Sequence, residues 1–420
     1  MTKYPYANLT DRSRTLAFQR CPRKRYYEYE LHGTGFTSAL LNPDLEVGQA
    51  VHIGLGDMLR QGRDKVIHDS IVIDIGQATN KAVQYFTEKS ESAQFRLDSG
   101  QQYNEEIEEN AALVEALTYA WGLYRLPNLL QEYKIIDVEH EEVHELAPDL
   151  GWMARPDALL KSMFDGSYSV LSIKTAKSVD SRSKSQFRID MQGDSERPGV
   201  EQRLGIEVNR VHLEILIKGY RRESPKGSGV YHRSNPLIRA WKQEGVTPEL
   251  DEYSHSYYYH DGERNRRLGK GWFGTPMWKE SGFTLREWVQ DLWDGKHLAP
   301  RQELCNVVQN QFEFQILDRD ADELWEWDAS TTFQELRVAD AAYDANEALA
   351  FRDRDEFFHV LNTAFPKYRQ SCDYPQACWL KKICWEQPQT VFDLNPLELE
   401  EYKPRIAHHE PEAERMKEKK

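Results

Sequence analysis

Residues 153–176 read MARPDALLKSMFDGSYSVLSIKTA. Two apolar runs, MARPDALLK and YSVLSIKTA, flank Asp165-Gly166, a dipeptide that favours a tight hairpin turn. The stretch therefore reads as a β-hairpin that sets Asp157 and Lys174 on neighbouring strands. Immediately upstream, residues 135–146 (IIDVEHEEVHEL) alternate apolar with charged side chains, as one half-buried strand would. Downstream, a helix beginning near Ile189 and a strand at 211–219 (VHLEILIKG) complete the expectation of an α/β core.

Around this core the pattern is helical. Residues 13–30 read as one helix with Ser13 as N-cap and Leu16, Phe18, Tyr26 and Tyr27 as its apolar surface, its basic residues facing a phosphate backbone. A second helix is expected over His52–Leu59, preceded by Gly48, where a missing side chain permits close approach of another backbone. Two more are expected near 76–90 and 104–127, the latter with Val114, Leu117, Trp121 and Tyr124 spaced along it. Residues 220–282 are rich in Gly, Arg and aromatics and read as an insertion. Its Tyr257–Tyr259 run suits base stacking, or the plainer packing of a strand whose side chains alternate faces. Helices are expected again at 283–294 and 333–362, and the charged segment after Glu398 reads as a solvated or disordered tail. The expected organisation is a helical region at 1–130, the core at 131–220, the insertion at 221–282, a helical region at 283–398 and a tail at 399–420. No internal repeat is visible.

The chain has 420 residues, 40% of them hydrophobic and 11% aromatic, which fits a folded globular protein and excludes a disordered scaffold. No run of about 18 apolar residues occurs, and MTKYPYANLTDRSR lacks the apolar core of a signal peptide, so a cytoplasmic location and no membrane partner are expected. The net charge of -15 argues against a surface coated by nucleic acid. Basic residues nevertheless cluster at 12–25, 174–188, 218–226 and 264–270. They suit a positive groove in an acidic body, with a solvated mixed surface as the plainer alternative.

Phosphodiester hydrolysis calls for a divalent cation that neutralises phosphate and lowers the pKa of an attacking water, and oxygen ligands suit Mg²⁺ or Mn²⁺. Asp157 is the best candidate ligand, and Lys174 would hold the scissile phosphate or orient the water. Each alone has an ordinary reading: an Asp before a hairpin caps a turn, a strand Lys is solvated, and a lone His such as His52 is structural. Their order along one chain favours a joint site. Five cysteines are too few and too unevenly placed for a secreted disulfide framework. Cys21 stands early, and Cys372, Cys378 and Cys384 stand late as C-x5-C-x5-C, suggesting a metal or iron–sulfur clasp between the ends of the fold. Chance spacing of buried thiols is the alternative, and Cys305 reads as a buried apolar residue.

Taken together, CPRKRYYEY, GQAVH, RPDALL, SIKTAK and DMQGDSE resemble the RecB-type branch of the PD-(D/E)XK nuclease superfamily, and the four cysteines resemble its RecB/AddB-like iron–sulfur subset. Phage-encoded and bacterial recombination exonucleases belong to this group. The resemblance implies a restriction-endonuclease-like core with a mixed sheet, flanked by helical N- and C-terminal regions joined by a [4Fe-4S] cluster on Cys21, Cys372, Cys378 and Cys384. A structural Zn²⁺ is the chemical alternative. It also implies that His52 binds metal, that Asp157 and Lys174 are the motif acid and lysine, and that Gln192 is the glutamine of the following helix. The activity implied is Mg²⁺- or Mn²⁺-dependent hydrolysis of DNA, at ends or in single strands, with a helicase or recombination protein as partner. Arg20, Arg23, Lys24, Arg25, Lys177 and Arg182 are the expected DNA contacts.

One position departs from the family's pattern. Two residues before the lysine, where the family has Asp or Glu, this chain has Ser172. Glu196, four residues after Gln192 and so on the same helical face, is the expected replacement ligand, with Asp190, Asp194 and Glu201 as rivals. The alternative is a catalytically inactive DNA-binding or complex-forming subunit that keeps the fold and the cluster.

Overall fold

The computed structural model describes residues 6, 8–67, 72–92, 103–176, 192–218, 221–223, 232–234, 286, 312–318, 321–368, 378–393 and 395–418. Strand β1 (Asn8–Asp11) leads into helix α1 (Arg12–Arg20), a single turn at Pro22–Arg25 and a π-helical turn at Tyr26–Glu30. The expected helix over 13–30 is thus broken. Cys21 is extended (φ -163°, ψ 107°), as the residue before a proline tends to be, because the Pro22 ring disfavours α geometry there. The N-cap is Asp11 rather than Ser13, its carboxylate accepting the Arg14 N–H at 2.9 Å. Strand β2 (Phe36–Ser38) follows, then α2 (Pro43–Ile67), α3 (Ile75–Ser92), α4 (Tyr103–Tyr124) and the short α5 (Leu126–Glu132).

The strands are β3 (Tyr133–Val138), β4 (Glu142–Ala147), β5 (Leu150–Ala154), β6 (Ala158–Ser162) and β7 (Tyr168–Ala176). After them come α6 (Gln192–Leu204), β8 (Val208–Ile217), the small pair β9 (Arg221–Glu223) and β10 (His232–Ser234), and β11 (Phe312–Asp318). Five of them form a mixed sheet in the order β11-β8-β7-β6-β3. Neighbours β3, β6 and β7 are antiparallel, whereas β7 and β8 are parallel. A parallel pair needs a crossover, and α6 lies on that crossover. On one sheet face Leu160, Leu171 and Ile173 pack with Val51, Leu55, Leu117 and Trp121 of the helices. On the other, Leu159 and Val170 pack with Val200 of α6, Val208 and Val211. The hairpin strands are sandwiched between helices, so the protein is of the α/β class.

Two strands expected as continuous are each divided between sheets. Residues 135–146 break at Glu139, which has φ +49°, and the second half, β4, joins a separate sheet of order β1-β5-β4. Likewise MARPDALLK ends one strand at Ala154 and starts another at Ala158, with Arg155-Pro156-Asp157 crossing from the small sheet to the large one. Pro156 has no N–H to give to a ladder, which suits this crossing point.

The C-terminal part comprises α7 (Ala321–Ala350), α8 (Arg354–Thr363), β12 (Tyr402–Pro404) and α9 (Glu410–Glu418). The helix expected at 333–362 is two helices: Arg352 takes φ +59° and Asp353 caps α8 through the Glu356 N–H at 3.0 Å. The tail expected to be solvated folds back instead. Strand β12 pairs with β2, and Glu412 of α9 is buried between Arg14 and Arg405. A second core joins Tyr26, Tyr27 and Phe36 to Phe357, Leu361, Phe365 and Cys384. Among the described residues no helix is long and apolar enough to cross a membrane.

Candidate active site

The loop before β6 and the outer half of β7 carry the site. Strands β6 and β7 pair Ala158 with Leu171, so extending the register by one residue sets Asp157 opposite Ser172. Lys174 lies two residues further on and shares that face of β7. The hairpin expected from sequence is therefore present, with Gly166 in its turn at φ +73°, and the charge of Lys174 bears on the Asp157 carboxyl.

His52 reaches the same point from the middle of α2 rather than from a helix start. Its Nδ1 is 2.9 Å from Asp157 Oδ1, while the Ile173 backbone N–H donates to Asp157 Oδ2 at 2.5 Å. Helix α2 comes close to β7 at Gly48, one turn before His52. A Cβ there would stand 2.8 Å from Thr175 Oγ1, so the missing side chain makes room for a neighbouring side chain rather than for a backbone.

Burial pushes the Asp157 carboxyl up, but the charge and hydrogen bond of His52, the Ile173 N–H and the charge of Lys174 together bring it below the ordinary carboxylate value. Asp157 is thus held ionised. Ser172 is 1% exposed, and its Oγ has no hydrogen-bond partner among the described residues.

Helix α6 runs from Gln192 through Pro198 to Leu204 and presses on β4, since a Cβ at Gly199 would lie 2.5 Å from Glu142 Cβ. Gln192 and Glu196 share this helix, and Glu196 and Asp194 are buried. Glu201 serves the fold, accepting the Val208 N–H at 2.8 Å. Among the described residues no three His, Cys, Asp or Glu side chains are grouped to hold a metal ion. Asp190, Lys177 and Arg182 lie outside the described residues, as do Cys305, Cys372, the Tyr257–Tyr259 run and, apart from Arg286, the helix expected at 283–294.

Two of the expected DNA contacts are corrected. Arg23 is 1% exposed, and its guanidinium donates to Phe365 O at 2.8 Å, Leu361 O at 2.7 Å and Asn362 Oδ1 at 3.0 Å. Arg25 is buried against Glu30 at 2.8 Å and Glu335 at 2.9 Å. Both clamp the N-terminal segment to the C-terminal helices, where no phosphate reaches them. Arg20 is exposed, and Lys24 is half-buried beside Glu28 at 3.3 Å. Sequence reading missed this because a run of basic residues looks alike on a wet face and on a buried ionic one. The interspersed Tyr26, Tyr27 and Tyr29, too apolar for an open surface, are the signal that was available.

Cys21 and Cys384 are buried and Cys378 is half-buried. Burial pushes the Tyr27 hydroxyl up to about 12, Arg23 opposes it, and Cys384 and Cys21 add to it, so one early and one late cysteine bear on the same side chain. Cys378 acts likewise on Tyr402. The ends of the chain therefore meet where the thiols are. No model of a known protein family matches the sequence, and no curated protein matches it.

Proposed function

We propose that the protein is a metal-dependent DNA nuclease with a PD-(D/E)XK core of the RecB-like kind, cleaving at DNA ends or in single strands. The observation that carries this reading is the contact of His52 with Asp157 beside the hairpin, with the charge of Lys174 bearing on the same carboxyl. Support also comes from the element order, in which a helix, three antiparallel strands, a crossover helix and a parallel strand make the mixed sheet that the motifs imply.

The donor set fits Mg²⁺ or Mn²⁺: a carboxylate held ionised beside an imidazole nitrogen, with the second carboxylate oxygen pinned by a backbone N–H. His52 and Asp157 would hold the cation, with Glu196 as the acid that replaces the one missing at position 172. When bound, the cation neutralises phosphate and lowers the pKa of a bound water. Lys174, whose charge bears on Asp157, would offset charge growing on the phosphate oxygens. The Ile173 N–H fixes the rotation of Asp157, and Gln192 at the start of α6 positions the water or phosphate.

We assign the four cysteines to a structural [4Fe-4S] cluster, with a zinc site as the chemical alternative. The support is the convergence of Cys21 and Cys384 on Tyr27 at the junction of the chain ends. Visible absorption and metal analysis of anaerobically purified protein separate iron from zinc.

The second reading, a DNA-binding or complex-forming subunit without cleavage, is favoured by Ser172. A cleavage assay decides between them. Linear and single-stranded DNA should be degraded with Mg²⁺ or Mn²⁺ by the wild type and not by Asp157→Ala or Lys174→Ala. DNA binding without cleavage under either metal selects the subunit.

A further inference from the structure

We propose that Arg155 is a phosphate-gripping residue of the candidate site, held in reserve by Glu141 and released to the nucleic-acid backbone when a strand enters. This rests on the nuclease reading of the neighbouring Asp157. The side chain of Arg155 is 45% exposed, and its Nη1 lies 3.6 Å from Glu141 Oε1, beyond hydrogen-bond range. Glu141 has firmer partners, since its Oε2 accepts the Glu410 N–H at 2.6 Å and its Oε1 faces His409 Nδ1 at 3.4 Å. Arg155 is therefore the outermost member of the group, and an exposed pair of this kind is worth only about 0–1 kcal/mol.

Other arginines near the hairpin are committed. Arg203 pairs with Glu142 at 2.6 Å and Asp137 at 2.9 Å, and Arg125 with Glu214 at 3.0 Å. Arg60 pairs with Glu139. In a chain of net charge -15 a loosely held, exposed cation beside an acidic metal ligand is conspicuous. Two residues of extended chain span at most about 7 Å. An Arg side chain starting that far from Asp157 can reach a phosphate next to the one at the metal ligand, and its fork suits phosphate oxygens.

The test is anisotropy of a labelled DNA single strand without divalent cation, across a salt series. Arg155→Gln should bind more weakly and lose about 0.7 from the slope of log K against log salt, the share of one phosphate contact, and Arg155→Lys should regain that slope. Glu141→Gln should bind about twofold to fivefold more tightly than wild type with an unchanged slope, as loss of the reserve contact predicts. An unchanged slope in Arg155→Gln, with the strand still bound, overturns the proposal and leaves the nuclease reading standing. A wild type that binds no strand overturns the grip, and one that also cleaves nothing under Mg²⁺ or Mn²⁺ overturns both. The slope change without cleavage under Mg²⁺ or Mn²⁺ keeps the phosphate grip and removes hydrolysis.

Discussion

His52 Nδ1 stands 2.9 Å from Asp157 Oδ1, a contact that ties the middle of the longest N-terminal helix to the loop where the chain passes between two sheets. What positions this pair joins a local hairpin to a distant helix. Gly48 lets α2 come close to β7, the hairpin register brings Ser172 and Lys174 alongside, and the Ile173 N–H fixes the carboxylate.

Gly48→Ala should separate the pair. The new Cβ would meet Thr175 Oγ1 at 2.8 Å, and because a β-branched side chain is stiff at χ1, relief comes from α2 shifting outward by a few tenths of an ångström, carrying His52 with it, unless Thr175 rotates. A misplacement of about 1 Å can cost about 10²-fold in rate, and a few tenths a smaller share of that. Cleavage should fall by up to about tenfold while thermal stability changes little, and Gly48→Ala with Thr175→Ala should recover most of it. Failure of the double variant to recover would show that the close approach is not what places His52.

Ser172→Asp restores a carboxylate in the slot facing Asp157. At 1% exposure the new charge lacks water and sits near a like charge, so the metal-free protein should lose roughly 3–5 kcal/mol, comparable to an uncompensated buried charge. Adding Mn²⁺ should return much of that loss by binding the folded state alone. Thermal unfolding with and without Mn²⁺ reads both effects, and a variant whose Tm ignores the metal would contradict the proposed site.

Arg23→Ala should destabilise the junction of the chain ends by about 3–5 kcal/mol, because it leaves the carbonyls of Leu361 and Phe365 buried without their charged donor. Arg23→Lys should rescue little, since one ammonium cannot reproduce a planar fork. Urea unfolding measures it, and a loss below about 1 kcal/mol would refute the clamp.

Acid should draw stability from two buried histidines, while Glu214, raised to about 7 by burial, takes up its proton more readily folded than unfolded and offsets part of that loss. Burial lowers His144 from 6.5 to about 4, and burial, with Arg210 adding to it, does the same to His212. The unfolded chain therefore takes up protons that the folded one refuses. Their stabilising effect is complete above pH 6.5 and drains away as pH falls toward 4, in the sense required by linkage. Chemical unfolding between pH 7 and 4 should show this slope, and His144→Phe should flatten part of it. A His144→Phe profile parallel to that of the wild type across that window would count against the His144 assignment.

The hairpin was legible because its information is local: an Asp-Gly turn between two apolar runs fixes register, and register fixes which of Asp157, Ser172 and Lys174 share a face. The fate of residues 139–157 was not legible, because alternation looks the same in one long strand and in two strands of different sheets. Only Glu139 at positive φ and Pro156 mark the divisions. The basic stretch after Cys21 misled for a related reason. Its charge is visible in sequence, but the partners of Arg23 and, apart from Glu30, of Arg25 lie more than 300 positions away. The folding back of residues after Glu398 hangs on Glu412 meeting Arg14 and Arg405, a pairing with no local trace.

Binding of Mn²⁺, followed by electron paramagnetic resonance on the purified full chain, tests the central claim most directly. The wild type should bind the ion, Asp157→Ala should lose that binding, and Lys174→Ala should keep it while losing cleavage. Equal Mn²⁺ binding by wild type and Asp157→Ala would contradict the account, because the carboxylate beside His52 would then not be where the cation sits.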